Sequence, residues 1–330
     1  MRYRPLGDSG IQLSEVGFGA WTVSTGWWGT YSDDEAIALM RAAYDRGITY
    51  FDVADTYGNG RSEELIGRAF EGMRDRIVVG TKFGYDFYTN AGDRSGHAEL
   101  PQDWSPQFVR KALEESLRRL RSDHVDLYQM HNPKMDAVVK DELWGTLEDL
   151  KREGKIRVFG PALGPAIGWR DEGVKALRQR DPGLLHIIHN MLEQDPGREM
   201  TAICRERGIG VLVRVPHSSG LLEGKYTLET TFDANDHRSH RKREWLVEGL
   251  QKLDLLQFLV RDDRTIGQAA LRWLLADPAV ATTLPNIYNV EQLDEFTGAS
   301  NSPDLNEDEM ARVADLYERN FDLQKEVAPA

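Results

Sequence analysis

A (β/α)₈ barrel, preceded by a β-hairpin and followed by a helical extension, is the fold the sequence predicts. Three observations point to it. Short apolar runs alternate with amphipathic helical patterns along the chain, which is the rhythm of repeated βα units rather than of separate helical and sheet parts. The runs number eight: EVGFG, ITYFDV, RIVVGTK, VDLYQMH, IRVFG, LLHIIHN, GVLVRV and VATTLP. A doubly wound sheet, the alternative, usually carries a Gly-x-Gly-x-x-Gly turn after an early strand; here GNGRSE fails at its last position, and GLLEGKY fits neither that turn nor a P-loop.

By length alone, 330 residues suit one large barrel or two smaller domains. No linker, repeat or low-complexity stretch divides the chain, so residues 1–330 read as one domain. The opening RYRPLGDSGIQLSE has Pro5, a Gly-Asp-Ser-Gly turn and alternation on both sides, the pattern of a hairpin plugging the barrel floor. The segments DDEAIALMRAAYDRG, SEELIGRAFEGM, SPQFVRKALEESLRRL and DELWGTLEDLKREG supply helices, several opened by Ser or Asp and closed by Gly.

Composition narrows the function classes. A net charge of −13 and a pI near 5.2 argue against nucleic acid and anionic membrane as partners, because a phosphate-binding face needs a basic field. A small molecule is the expected partner. The lone Cys204 allows no internal disulfide and fits a reducing compartment. With no apolar run near the roughly 20 residues of a membrane span, and no signal-peptide core, a cytoplasmic protein is expected.

In such a barrel chemistry sits where strands end. The second run ends near Asp52 with Tyr57 beyond it, the third carries Lys82 and the fourth His131. Each has a plain structural reading: a turn cap, a packed phenol, a solvated strand end, a satisfied histidine. Together they form an acid–base set. A phenol is a reluctant acid at neutral pH; an ammonium beside it favours phenolate, a carboxylate can partner that ammonium, and an imidazole can polarise a carbonyl oxygen.

The order Asp52, Tyr57, Lys82, His131, within FDVADTYGNGRSEELIGRAF, VVGTKFG and VDLYQMHNP, resembles the aldo-keto reductases. The likeness runs from LGDSGIQLSEVGFGAW through GLLEGKY to LPNIYNVEQLDEF, and is nearest the branch of bacterial stress and inositol-linked reductases and potassium-channel β-subunits. It implies NADP(H) or NAD(H) bound in an extended pose without a Rossmann domain, and hydride transfer to an aldehyde or ketone, or from the alcohol. Tyr57 would be the general acid, tuned by Lys82 and Asp52, with His131 orienting the substrate.

The same resemblance places Gly19, Ala20, Trp21 and Asp52 along the cofactor, and the pyrophosphate on the RVPHSSGLLEGKY loop through Pro216, Ser218, Gly220, Leu221 and Lys225. Elsewhere this chain departs from the pattern. Ala162 and Leu163 stand where polar side chains usually hold the carboxamide, and His186 replaces a glutamine. Pro285 and Gln292 are kept, but Asn286, Ile287, Tyr288 and Phe296 fill the other positions, without the basic residue that would grip a 2′-phosphate. Arg238, in the basic HRSHRKRE stretch, is the candidate substitute, a solvated loop being its plain alternative, and Arg214 a stacking partner for the nicotinamide.

Weak dinucleotide binding, with NADPH at most modestly preferred over NADH, is therefore expected. Trp21, Trp27 and Trp28, with Tyr85 and Phe87 of FGYDFY, are candidate substrate walls or lid packing. His186 and His189 suggest a metal pair, but an odd offset on a strand sends them to opposite faces, so no metal is expected. Two other functions keep the same residues: non-reductive acid–base chemistry by a lyase or isomerase, and a non-catalytic dinucleotide sensor subunit.

Overall fold

A computed structural model describes residues 1–90, 99–165, 168–234 and 236–323. Ten strands are present among them: β1 (Tyr3–Pro5), β2 (Gln12–Ser14), β3 (Phe18–Gly19), β4 (Tyr50–Asp52), β5 (Val78–Phe83), β6 (Val125–His131), β7 (Ile156–Ala162), β8 (Leu184–Ile188), β9 (Gly210–Arg214) and β10 (Val280–Leu284). The last eight form one sheet in the order β10-β9-β8-β7-β6-β5-β4-β3, with every neighbour parallel.

The seam between β10 and β3 closes by a parallel bridge from Val16 to Thr283, with Gly17 N–H donating to Thr283 O at 2.9 Å and Thr283 N–H to Glu15 O at 2.9 Å. This explains why the EVGFG run gives a strand of only two residues: its first half spends its backbone groups on β10 and its second half on β4. The result is the expected barrel, each strand buried on both faces and hence apolar along its length.

Helices follow each barrel strand: Asp33–Asp45, Arg61–Ala69, Pro106–Leu120, Asp141–Arg152, Arg170–Gln179, Gly197–Arg207, Ile266–Leu275 and Val290–Gly298. Local chemistry sets their starts. Ser32 and Glu35, and Thr265 and Gln268, form capping boxes, and Pro106 occupies a first-turn position where its missing N–H costs nothing. The C-terminal helix Glu307–Glu318 is an added element. Its Glu309 takes a 2.6 Å ion pair from the buried Arg264, and Val313 and Leu316 join the apolar cluster around Leu253 and Phe321.

β1 and β2 pair antiparallel, Tyr3 opposite Ser14, and the hairpin seals the barrel floor. Leu6, Ile11 and Leu13 pack against Tyr50, Leu127, Val158, Leu184, Leu212 and Ala281, the inward side chains of the lower barrel. Gly7 is obligatory at the turn, since φ is +48° and a Cβ would stand 2.1 Å from Gly208 O. With the floor filled, only the opposite mouth is free for chemistry. Among the described residues no helix is long and apolar enough to cross a membrane.

Candidate active site

Asp52 ends β4 and Lys82 stands near the end of β5, so neighbouring strands present both inward at the mouth. Lys82 Nζ lies 2.5 Å from Asp52 Oδ1 and 2.8 Å from Val53 O, with only 2% of the lysine side chain exposed. Burial alone would lower the pKa of Lys82; Asp52 and Tyr57 outweigh it and hold the ammonium above the ordinary lysine value. Burial would likewise raise Asp52, but Lys82 overcomes it and the carboxylate stays below its usual range.

The loop after β4 turns back so that the half-buried Tyr57 brings its ring centroid 4.7 Å from Lys82 Nζ. His131, the last residue of β6, meets that ring edge-on at 5.8 Å and the Tyr85 ring at 5.0 Å. The four residues singled out in the sequence converge on one mouth.

Beneath them lies a network that sequence reasoning missed. Asp52 Oδ2 accepts from Tyr50 Oη at 3.1 Å and from Gln129 Nε2 at 3.1 Å, and Gln129 Oε1 stands 2.8 Å from His186 Nδ1. Gly80 makes room for it, because a Cβ there would lie 2.6 Å from Tyr50 Oη and 3.0 Å from Gln129 Nε2. A signal existed: on a strand alternate residues share a face, so Gln129 points inward with His131, and Tyr50 with Asp52. His186 is buried, which brings its pKa down to about 3, and its Nε2 has no hydrogen-bond partner among the described residues. His189 instead packs on Trp273, and no cluster of three or more His, Cys, Asp or Glu with metal-binding geometry occurs among the described residues.

Arg214, at the end of β9, donates to Leu163 O at 2.6 Å; burial lowers its pKa, against the pull of Tyr57 and Asp52. Ala162 contributes its backbone, with Asn132 N–H donating to Ala162 O at 2.8 Å and Asn132 Nδ2 to Tyr85 Oη at 2.9 Å. Ala20 N–H donates to Asp52 O at 2.9 Å, which ties the Gly19–Trp21 stretch to the rim of the mouth.

The loop after β9 has left-handed φ at Val215, Ser218, Ser219 and Gly220 (55°, 46°, 57° and 98°), a strained path for its three residues that carry side chains. Pro216, Ser218 and Leu221 are buried within it, while Lys225 is exposed and pairs with Glu295 at 3.3 Å. Arg238 is already engaged. It grips Asp236 through two contacts (2.8 and 2.6 Å), donates to Tyr226 Oη, and lies 4.5 Å from the Trp28 ring and 4.7 Å from Phe232. Arg241 is the residue that reaches the loop, donating to Ser219 Oγ at 3.1 Å, and its buried Nε has no partner among the described residues.

On the far side Gln292 Nε2 donates to Glu223 Oε2 at 2.9 Å and Tyr288 N–H to Gln292 Oε1 at 3.1 Å, with Asn286 half-buried nearby in sequence. Burial pushes the Glu223 carboxyl up to about 7.

The proposed walls divide. Tyr85 stands against His131, but Phe87 packs on Tyr88 at 4.1 Å and beneath the Arg119 guanidinium. Trp21 meets Trp27, Trp28 and His237 (5.6, 5.9 and 4.9 Å), and His237 stacks on Trp27 at 5.5 Å while its N–H donates to Trp27 O. The tryptophans thus bind the 236–241 segment as a strap over one side of the mouth.

These residues fit a dinucleotide: an unsatisfied buried ring nitrogen on His186 at one end, an unsatisfied buried donor on Arg241 at the other, and the left-handed loop after β9. Comparison with known proteins agrees. The Aldo/keto reductase family matches residues 15–318. The chain is 32% identical to aldo-keto reductase YhdN of Bacillus subtilis, over 90% of this chain and 89% of that protein. It is 29% identical to the NADH-specific methylglyoxal reductase of Escherichia coli, over 97% and 100%. Its fold superposes on the glycerol dehydrogenase AKR11B4 of Gluconobacter oxydans with a TM-score of 0.82 at 25% identity, covering 99% and 98% of the two chains. A barrel without a Rossmann unit, an acid–base mouth and a match along almost its whole length lead to one conclusion: the chain belongs to the aldo/keto reductase family and is an NAD(P)-dependent oxidoreductase.

Proposed function

We propose that the enzyme reduces a small aldehyde or ketone, or oxidises the corresponding alcohol, with Tyr57 as the general acid and base. The observation that carries this reading is the bridging position of Lys82, whose ammonium contacts the Asp52 carboxylate at 2.5 Å and stands 4.7 Å from the Tyr57 ring. A reduced nicotinamide supplies the hydride. As the carbonyl oxygen gains charge, Tyr57 Oη delivers its proton to that oxygen, and Lys82 stabilises the phenolate left behind. His131, beside both Tyr57 and Tyr85, orients the oxygen, and in the reverse direction Tyr57 takes the alcohol proton.

In this reading His186 and Arg214 hold the nicotinamide end, the 215–221 loop with Arg241 the phosphates, and Tyr288 with Gln292 the adenosine end, supported by the nitrogens of His186 and Arg241 that lack a partner among the described residues. The strap and the Trp21, Trp27, Trp28 cluster shield the mouth from water. A methylglyoxal reductase and a glycerol dehydrogenase among the relatives support small oxygenated substrates.

Tyr57→Phe tests the assignment. Expected is a fall in kcat of about 10²–10⁴-fold on a reducible aldehyde, with dinucleotide affinity unchanged. Retention of more than half the wild-type kcat, with chemistry limiting, would remove Tyr57 from the role.

A further inference from the structure

The hydrogens of the buried network can be assigned one by one. Asp52 is ionised against Lys82, so its Oδ2 only accepts, and Gln129 must turn its Nε2 amide toward it at 3.1 Å. That leaves Gln129 Oε1, an acceptor, 2.8 Å from His186 Nδ1. Nδ1 therefore carries the hydrogen. Burial keeps the ring neutral, and a neutral imidazole has one N–H, so Nε2 is left with a bare lone pair. It is buried and accepts from no described residue.

We propose that Gln129 is a positioning residue that, anchored on Asp52, locks His186 in the Nδ1–H tautomer and so makes Nε2 a dedicated acceptor for the amino group of the nicotinamide carboxamide. The inference rests on the dinucleotide reading above and deepens it. Around this mouth donors abound: the ammonium of Lys82, the guanidinium of Arg214, the phenol of Tyr57 and the amide of Asn132. Bare acceptors are fewer, since Asp52 is already engaged by Lys82, Tyr50 and Gln129, and the side chains of Ala162 and Leu163 offer none. A carboxamide brings both kinds of group. Its carbonyl has a choice of partners, but its amino hydrogens have His186 Nε2. A carboxylate, ester or ketone in the same place would meet lone pair with lone pair or with a methyl group. Gln129 never touches the cofactor in this scheme; it acts by fixing which nitrogen is bare.

Two analogues separate the amino group from the rest of the ring. Reduced thionicotinamide adenine dinucleotide keeps the amino group, and reduced 3-acetylpyridine adenine dinucleotide replaces it with methyl. Expected for the wild type is binding of the first within about 3-fold of NADH and of the second about 10-fold weaker, the effect of one hydrogen bond. In Gln129→Leu the penalty on the acetylpyridine analogue should shrink below about 3-fold as the tautomer is released. The ¹⁵N spectrum of His186 in the cofactor-free protein, assigned with His186→Gln, reads the tautomer directly and does not depend on the variant folding. It should show Nδ1 protonated and Nε2 bare in the wild type, with the other form appearing in Gln129→Leu. Protonated Nε2 in the wild type, or equal affinity for NADH and the acetylpyridine analogue, overturns the proposal while leaving the reductase reading intact. Failure of every dinucleotide to bind overturns both.

Discussion

The two flanks of the mouth are built on different principles. On one flank Asp52, Tyr50, Lys82, Gln129 and His186 hang from β4, β5, β6 and β8, each side chain held by hydrogen bonds or ion pairs of 2.5–3.1 Å and almost wholly buried, with the half-buried Tyr57 and His131 against them. On the other flank the strap is loop and short helix, braced internally by the Arg238–Asp236 pair and joined to its surroundings by aromatic faces and by hydrogen bonds from His237 to Trp27 and from Arg241 to Ser219. Strand-borne groups are pre-organised and cost no reorganisation when charge moves, whereas a stacked strap can part and close. The first flank should therefore govern the chemical step and the second the holding of the cofactor.

Lys82→Met attacks the first flank hardest. It strips the phenolate of its cation and leaves Asp52 buried without one, so activity should fall by about 10²–10⁴-fold and stability by about 3–5 kcal/mol. Adding Asp52→Asn should return most of the stability and none of the activity, as denaturant melts beside steady-state rates would show. Recovery of both together would mean that the pair is scaffolding only.

Glu223→Gln probes the loop flank through pH. The folded-state pKa of Glu223 is about 7 against an ordinary 4.5, so the folded protein holds that proton more tightly than the unfolded chain. Its stabilising effect is complete below pH 4.5 and is lost as pH rises through 7. At about 1.4 kcal/mol per unit the variant should gain a few kcal/mol on wild type across that window. Parallel wild-type and variant melting curves from pH 4.5 to 7.5 would contradict it.

The smallest effect belongs to Arg241→Ala. Loss of its contact to Ser219 and of its unpaired Nε should weaken dinucleotide binding by about 10-fold and leave kcat within about 3-fold. Titration against turnover numbers separates the two, and a kcat that falls in step with affinity would erase the division between the flanks.

The barrel was legible because its signals are local and repeated. VDLYQMH is apolar, β-branched or aromatic at most positions, and β6 covers that run from end to end. The hairpin was legible from its turn. The acid–base set could be read because each member lies at or just beyond a strand end, and strand ends meet at one rim. Gln129 was not singled out because it lies inside a run rather than at its end; alternation with His131 turns it inward, but what it bonds is known only once the partners across the barrel are. Arg238 and Arg241 lie three residues apart in one basic stretch; which of them faces the loop depends on Asp236, Tyr226 and the tryptophans, contacts that sequence spacing does not reveal. The departures at Ala162 and Leu163 were visible, but not that their backbone oxygens would receive Asn132 and Arg214.

Asp52 takes hydrogen bonds from three strands at once, through Tyr50, Lys82 and Gln129, and reaches His186 at one remove. Such a hub makes these five positions epistatic. A replacement tolerated at one of them depends on the residues already present at the others, so in descent they should change in concert, and a transplant of His186 alone into a related barrel should carry over none of its behaviour.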